Sequence, residues 1–176
     1  MAEFAPAFDF TMAHEDASRS GRVTTDAGGR TRFGIAEKFH PEIPKAFFDE
    51  KAVPSGQAEE TARLVLEHDY WERKELVRVA SQDVANKLFD MAVNMGVRQA
   101  AIYAQRAANG LLMGSPAAPA VDGVIGDKTL AAINKCDPAA LLETLRNLSK
   151  IHYYETAAKD PAQKENLKGW LRRAEA

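Results

Sequence analysis

The spacing of apolar residues predicts a chain that is nearly all helical. The clearest pattern lies between residues 82 and 95, where Val84, Leu88, Met91 and Met95 follow one another at steps of 4, 3 and 4. Such spacing places the four side chains on one face of a helix. Ser81 precedes this segment as a candidate N-cap, and Gly96 follows it as a C-cap would. We therefore expect one strongly amphipathic helix in the middle of the chain.

The same reasoning predicts further helices on both sides of it. Two Asp-Pro pairs, at residues 137–138 and 160–161, supply an N-cap followed by proline at the first helical position. The expected helices cover residues 3–15, 57–77, 97–109, 127–134, 138–158 and 161–173. Residues 113–121 form no periodic face and are the best linker candidate. This predicts a first part at residues 1–112 and a second at 113–176, packed together as one compact unit.

A polar stretch from residue 17 to residue 32 interrupts the helical pattern. Gly21 and Gly28-Gly29 are turn signals, and two short β-prone runs at 23–25 and 31–33 flank the second of them. We interpret the stretch as a minimal β-hairpin, with an irregular surface loop as the alternative. Either version would form one lip of a groove. The predicted fold class is thus mostly α, with a minimal β-hairpin or loop.

Composition narrows the classes of function. In 176 residues the net charge is −2, which argues against a general nucleic-acid binder held by phosphate neutralisation. A single cysteine excludes an intramolecular disulfide, and the four histidines lack metal-ligand spacing, so we expect no metal and no cofactor. Neither a signal peptide nor an apolar run of roughly 18 residues is visible. We expect a chain made in the cytoplasm without stable membrane insertion.

Carboxylates around the polar stretch suggest hydrolysis of a glycosidic bond. This chemistry needs one carboxylic acid that protonates the leaving oxygen and a second group that activates water or stabilises positive charge. Glu15, after Phe8 and Met12, is placed for partial burial, which raises a carboxyl pKa. Asp26, in a glycine turn, would stay ionised, and Thr31 could hold the water. Spacing alone does not separate this interpretation from ordinary surface acids and a turn former, nor Glu15 from Asp16.

Several motifs occur in one order along nearly the whole chain. Glu15 is followed by Asp26-x-Gly28-Gly29-x-Thr31-x-x-Gly34-Ile35, then Tyr70-Trp71, Phe89-Asp90-x-Ala92-Val93-Asn94-x-Gly96, Val121-Asp122-Gly123-x-x-Gly126-x-x-Thr129-Leu130, Tyr153-Tyr154 and Gly169-Trp170-Leu171-x-Arg173. Together they resemble phage and prophage muramidases of the glycoside hydrolase family 108 type, with a C-terminal peptidoglycan-binding-like module. The resemblance implies a lysozyme-like helical fold with Glu15 as the catalytic residue.

The resemblance also implies a substrate and a place of action. It points to an endolysin-type N-acetylmuramidase that cleaves the β-1,4 bond between N-acetylmuramic acid and N-acetylglucosamine. Its partner would be the glycan strands of peptidoglycan, and we expect a monomer. Because no signal peptide is visible, it would reach the periplasm through a holin or similar pore. Tyr70, Trp71 and Asn94 become candidate substrate-binding residues, although Tyr70 and Trp71 also fit a helical core.

One departure keeps a second interpretation open. Many members of the family have Glu-Gly-Gly-Tyr where this chain has Glu15-Asp16-Ala17-Ser18. A non-catalytic protein that binds peptidoglycan and retains the muramidase fold is therefore the alternative. The last predicted helix carries Lys164, Lys168, Arg172 and Arg173, which we expect on a solvated face.

Overall fold

The computed structural model describes residues 1–26 and 29–176, and for Asp26 it describes the backbone alone. About 65% of the chain is helical. The α-helices are α1 (Phe4–Glu15), α2 (Ser55–Leu66), α3 (Gln82–Met95), α4 (Val97–Leu111), α5 (Asp127–Lys135), α6 (Pro138–Lys159) and α7 (Leu167–Glu175). The strands are β1 (Thr24–Asp26), β2 (Gly29–Arg32) and β3 (Ile35–Ala36). The predicted fold class is confirmed.

Helices α1 and α3 form the centre of the core. Phe4 of α1 lies 5.6 Å from Phe89 of α3 and 5.9 Å from Trp71, measured between ring centroids. Ser81 caps α3 by accepting a hydrogen bond from the backbone N–H of Val84, as predicted. Helix α3 packs against α1, and the C-terminal ends of both helices border the same groove.

The predicted hairpin exists and gains a third strand. β1 pairs with β2, and β2 with β3, all antiparallel. The turn between β2 and β3 consists of Phe33 and Gly34, both with positive φ (49° and 77°), as in the two-residue turns that match strand twist. The pattern of the sequence did not predict β3 because two residues are too few to show an alternation.

A buried arginine ties this sheet to the rest of the molecule. Arg32, 1% exposed, donates hydrogen bonds to the carbonyl oxygens of Gly21, Phe47 and Val53 at 2.7–2.9 Å. Because these carbonyls belong to the loop after α1, to the 3-10 helix Lys45–Phe48 and to the segment before α2, one side chain fixes the sheet against its neighbours. A buried cation is tolerated here because its donors are satisfied.

Two predicted helices are only partly α-helical. The helix expected at 57–77 ends at Leu66 and continues as a π-helical segment, Glu67–Glu72, followed by a 3-10 turn, Leu76–Arg78. The helix expected at 161–173 begins as a 3-10 segment, Pro161–Asn166, and only then becomes α7. The π-helical and the longer 3-10 segment have six residues each, so they are too short for their different repeats to be distinguished from an α-helix by periodicity.

The C-terminal helices pack directly onto the N-terminal ones. α6 contacts α3 as well as α4, and α7 contacts α6. The loop before α5 is held by Gln105, whose buried amide donates to Asp122, Val124 and Thr129 and accepts from the N–H of Gly123. Within the described residues, no helix combines the length and apolar character that a membrane crossing needs.

Candidate active site

Glu15 is the last residue of α1 and lies where surface depressions meet. Its side chain is 21% exposed. One depression, which we call the sheet groove, has a volume of about 570 Å³. It is lined by residues of the sheet, of the loop after β3 and of the end of α3: Thr31, Gly34, Ala36, Phe39, His40, Tyr70, Val93, Asn94 and Met95, besides Glu15. A partly exposed carboxyl at the edge of a groove of this size can reach a bound molecule.

A second depression opens on the other side of Glu15. This helix groove has a volume of about 1020 Å³ and lies between the end of α1 and α7. Its lining includes His14, Thr24, Asn94, Gln163, Asn166, Lys168, Trp170, Arg172 and Arg173, besides Glu15. Glu15 and Asn94 belong to both grooves. The two depressions therefore meet at these two side chains.

The turn between β2 and β3 approaches Glu15 closely because it contains glycine. A Cβ atom placed on Gly34 would lie 3.1 Å from Cγ1 of Val93 and 3.8 Å from Cγ of Glu15. The φ of Gly34, 77°, is also one that residues with a side chain rarely adopt. Gly34 thus lets the sheet form a wall of the groove directly beside Glu15.

Glu15 is held by an arginine from the last helix. Nη1 of Arg173 lies 2.5 Å from Oε1 of Glu15, while Nε and Nη2 of Arg173 contact the carboxylate of Asp90 at 2.8–3.1 Å. Asp90 is 1% exposed and Arg173 6%. Burial alone would lower the pKa of Arg173, but Asp90 and Glu15 outweigh it and raise that pKa. The expected solvated face is therefore wrong for Arg173, whose charge is buried and paired.

A lysine completes this buried network. Nζ of Lys87 donates to the carbonyl oxygens of Arg173 and Ala174 at 2.8 and 2.9 Å. Burial is the main reason why the pKa of Lys87 falls to about 8, and Asp90 partly opposes it. Lys87 therefore fastens the backbone of α7 next to the residue that contacts Glu15.

Asp16, the competing acid, is occupied by its own loop. Its carboxylate accepts hydrogen bonds from the N–H of Gly21 at 2.6 Å and from the hydroxyls of Ser18 and Ser20 at 2.9–3.2 Å. Partial burial raises the pKa of Asp16, but these hydrogen bonds outweigh it, so the net pKa lies below its ordinary value. Asp16 organises the loop after α1 through side-chain contacts that a glycine at this position could not make.

The structure brings together some of the predicted site residues and separates others. Glu15, Thr31, Tyr70 and Asn94 all line the sheet groove. Trp71 does not: it is 3% exposed and packs against Phe4 and Phe89, so the prediction of a substrate contact is replaced by a core position. The carboxylate of Asp26 lies outside the described part of the structure.

One cluster of potential metal ligands borders the sheet groove. His40, Glu42 and Asp69 each bring a ligand atom within 4.8 Å of the others. Both ring nitrogens of His40 already have partners, since Nδ1 lies 2.9 Å from Glu42 and Nε2 lies 3.1 Å from the hydroxyl of Tyr70. The cluster joins the loop after β3 to the π-helical segment.

A helical fold with a small sheet beside a glutamate at the end of a helix defines a lysozyme-like protein. In agreement, the structure of Brucella abortus SagA superimposes with a TM-score of 0.62 over 94% of this chain and 92% of that chain. The two sequences are 22% identical, so this likeness concerns the fold.

Family comparison then identifies the chain. Residues 8–96 match the Glycosyl hydrolase 108 family, and residues 99–175 match the family described as Predicted Peptidoglycan domain. The protein belongs to the Glycosyl hydrolase 108 family, which confirms the family inferred from the motifs, and the two matches together support a peptidoglycan hydrolase. No curated protein matched this chain. The division predicted at residue 112 stays a prediction.

Sequence reasoning missed the contributions of α7 to the site. Arg173 and Trp170 lie in the quoted motif Gly169-Trp170-Leu171-x-Arg173, yet nothing local indicates that this segment lies beside Glu15. One signal was present: Asp90 stands between Phe89 and Met91 in a helix that is apolar on most sides, and a buried carboxylate requires a cationic partner. In the sequence that partner could be Lys87 of the same helix or a basic residue elsewhere, and the structure shows that it is Arg173.

Proposed function

We propose that the protein is an N-acetylmuramidase that cleaves the β-1,4 bond between N-acetylmuramic acid and N-acetylglucosamine. The observation that carries this proposal is the position of Glu15, at the junction of two grooves and held by Arg173. A glycan strand lying across that junction would present a glycosidic oxygen to a fixed carboxyl group. Membership in a glycosyl hydrolase family supports a role of that carboxyl group in protonating the glycosidic oxygen.

In this proposal Glu15 is the general acid. Arg173 donates to Oε1 and so orients the carboxyl, which leaves Oε2 as the oxygen that carries the proton to the leaving group. Thr31, on the sheet side of the groove, would position the attacking water. Asp26, near the tip of the hairpin, would be the base or would stabilise the developing positive charge.

A single substitution tests the assignment. Glu15→Gln keeps an oxygen that can accept from Arg173 but cannot supply the proton, so we expect lysis of permeabilised Gram-negative cells to fall by about a hundredfold or more. Glu60→Gln removes an exposed acid of α2 and should leave lysis unchanged. Mass spectrometry of the wild-type digest should show fragments with muramic acid at the reducing end. Undiminished lysis by Glu15→Gln would exclude the proposed role.

The second candidate is a protein that binds peptidoglycan without cleaving it. It is favoured by Asp16, Ala17 and Ser18, which stand where many members of the family have Gly-Gly-Tyr, and by the carboxylate of Asp16, which is bound into its own loop. Incubation with purified sacculi separates the two candidates. Retention of the protein on sacculi with no released fragments would support this alternative, whereas muramic reducing ends would exclude it.

A further inference from the structure

The helix groove has no assigned role, although it adjoins Glu15. Its far wall consists of α7 and the 3-10 segment before it, both within residues 99–175. Its near wall is the end of α1, within the residues that match the hydrolase family. The groove is therefore built jointly by the two matched regions.

Trp170 is the large aromatic side chain of this groove. Its ring stacks on Tyr153 at a centroid distance of 5.4 Å and an interplanar angle of 22°. Tyr153 is buried, so the ring of Trp170 is supported on one face, while the half-buried side chain still lines the groove. A rigid, supported indole beside solvent is the type of surface on which the apolar face of a pyranose ring packs.

A hydrogen bond connects this aromatic pair to the other groove. The hydroxyl of Tyr153 donates to Oδ1 of Asn94 at 2.8 Å, and Asn94 lines both grooves. Burial raises the pKa of Tyr153, so its hydroxyl keeps the proton that it donates. Trp170, Tyr153 and Asn94 thus form one fixed unit that ends at the junction occupied by Glu15.

The rim of the helix groove is polar. Gln163, Asn166, Lys168 and Arg172 contribute amide and cationic donors to the groove that the indole lines, and Glu165 contributes one carboxylate. Sugar hydroxyls, acetamido groups and the carboxylate of a lactyl substituent all accept hydrogen bonds from such donors. An aromatic floor with a polar rim is suited to a glycan and poorly suited to an apolar ligand.

We infer that the helix groove is the second arm of a single glycan cleft and that Trp170 is its sugar-stacking residue. The inference rests on the proposed function, since it places the scissile bond at Glu15, with sugars on one side in the sheet groove and on the other in the helix groove. The match to the Predicted Peptidoglycan domain thereby acquires a specific role: its last helix binds the same strand that Glu15 cleaves.

The chain offers an internal control, because Trp71 is its only other tryptophan and lies in the core. The first experiment titrates ¹⁵N-labelled Glu15→Gln with a purified tetrasaccharide of alternating N-acetylglucosamine and N-acetylmuramic acid. We expect one indole N–H signal to shift and the other to remain in place. The shifting signal should be missing from the spectrum of Glu15→Gln combined with Trp170→Phe. A spectrum in which neither indole moves, or in which the moving signal survives Trp170→Phe, overturns the inference.

Kinetics on solubilised glycan strands give a second readout. Trp170→Ala should raise KM about tenfold and change kcat less than about twofold, and Trp170→Phe should recover most of the loss. Tyr154→Ala, which removes an exposed aromatic from the adjacent position of α6, should leave both constants unchanged. If Trp170 only supports folding, Trp170→Ala should instead lower Tm and the amount of active enzyme and leave KM unchanged. The indole signal of Trp170 should then not move when the tetrasaccharide is added. That result overturns the inference.

The two proposals can fail separately. If the wild type releases no muramic reducing ends while the Trp170 signal shifts, the proposed catalysis is wrong and the glycan-binding groove stands. In the converse case the wild type cleaves glycan, the Trp170 signal does not move on addition of the tetrasaccharide, and KM does not change in Trp170→Ala. The proposed catalysis then stands and the second arm is wrong.

Discussion

Arg173 contacts Glu15 across 158 positions of the sequence, with 2.5 Å between Nη1 and Oε1. Glu15 lies in the region that matches the hydrolase family, and Arg173 lies in the region that matches the peptidoglycan domain. The environment of the candidate catalytic residue is therefore incomplete in either region alone. Because Arg173 also pairs with the buried Asp90, this contact contributes to stability as well as to the geometry of the site.

Removal of the guanidinium should be costly. Arg173→Gln leaves the carboxylate of Asp90 buried without its cationic partner, so we expect the free energy of unfolding to fall by about 3–5 kcal/mol. Urea denaturation followed by circular dichroism measures this change. Arg172→Gln, at the exposed neighbouring position, should alter it by less than about 0.5 kcal/mol. Equal effects of the two substitutions would show that the buried pair has no special importance.

Lys87 should make stability depend on pH in the alkaline range. Its pKa is about 8 in the folded protein, against an ordinary value of 10.5 that applies to the unfolded chain. Between these values the unfolded chain binds a proton that the folded protein has lost. Stability therefore rises with pH in this window, because the unfolded state holds more protons. Below about pH 8 both states are protonated, and Lys87 no longer makes stability change with pH.

The variant Lys87→Met isolates this effect. The difference in unfolding free energy between wild type and Lys87→Met should shift in favour of the wild type by about 2–3 kcal/mol between pH 8 and pH 10.5. Titrating groups that do not interact with Lys87 cancel in the difference. Urea denaturation at four pH values across this range provides the measurement, and a difference that is constant with pH would contradict the assigned pKa.

Gly34 should resist substitution. In Gly34→Ala the new Cβ meets Cγ1 of Val93 at 3.1 Å and the backbone keeps a φ of 77°, so we expect a loss of about 1–3 kcal/mol in unfolding free energy. The sheet wall beside Glu15 should also move, and lysis should fall with it. Gly110→Ala is the matched control, since Gly110 lies within α4 with no atom near the added Cβ. Here we expect stabilisation of about 0.5–1 kcal/mol. A neutral Gly34→Ala would show that the turn can move away without cost.

The amide of Gln105 should be required by the loop before α5. Gln105→Leu preserves volume but leaves the hydroxyl of Thr129 without a donor and the N–H of Gly123 without an acceptor. It also removes one of the donors to the carboxylate of Asp122, which keeps the N–H of Val124. We expect a loss of about 2 kcal/mol in unfolding free energy, measured by thermal or urea denaturation. Gln57→Leu, at an exposed position of α2, should change stability by less than about 0.5 kcal/mol. Similar effects from both substitutions would contradict the proposed role of the Gln105 network.

Much of the fold was predictable because it depends on interactions between residues that are close in the sequence. The apolar stripe from Val84 to Met95, the cap at Ser81 and the Asp-Pro starts of two segments all act within a few residues, and the structure contains each of them. Periodicity failed where helical spacing persists in another geometry, as in the π-helical segment Glu67–Glu72 and the 3-10 segment Pro161–Asn166. The repeats of these helix types differ from that of an α-helix, but each segment has only six residues, too few for the difference to show in the sequence.

The site was less predictable because it depends on contacts between distant segments. Glu15 and Thr31 were assigned to one site from the chemistry of glycoside hydrolysis, supported by the resemblance, and the structure puts both on the sheet groove. Trp71 and Arg173 were misplaced for a shared reason: sequence pattern indicates which face of a helix is polar or aromatic, but not what packs against it. The indole of Trp71 packs in the core, and the guanidinium of Arg173 pairs with two carboxylates.

The fastening of α7 by Lys87 and Asp90 has a consequence for the evolution of such proteins. Recombination that replaced the C-terminal region by that of a relative would remove the partners of Glu15, Lys87 and Asp90, which lie in the hydrolase region. A compatible C-terminal region must have an arginine at the position of Arg173, to pair with Asp90. It must also place two backbone carbonyl groups within hydrogen-bond distance of Lys87. We therefore expect the two regions to be exchangeable only between proteins that preserve these contacts, even though the regions match two separate families.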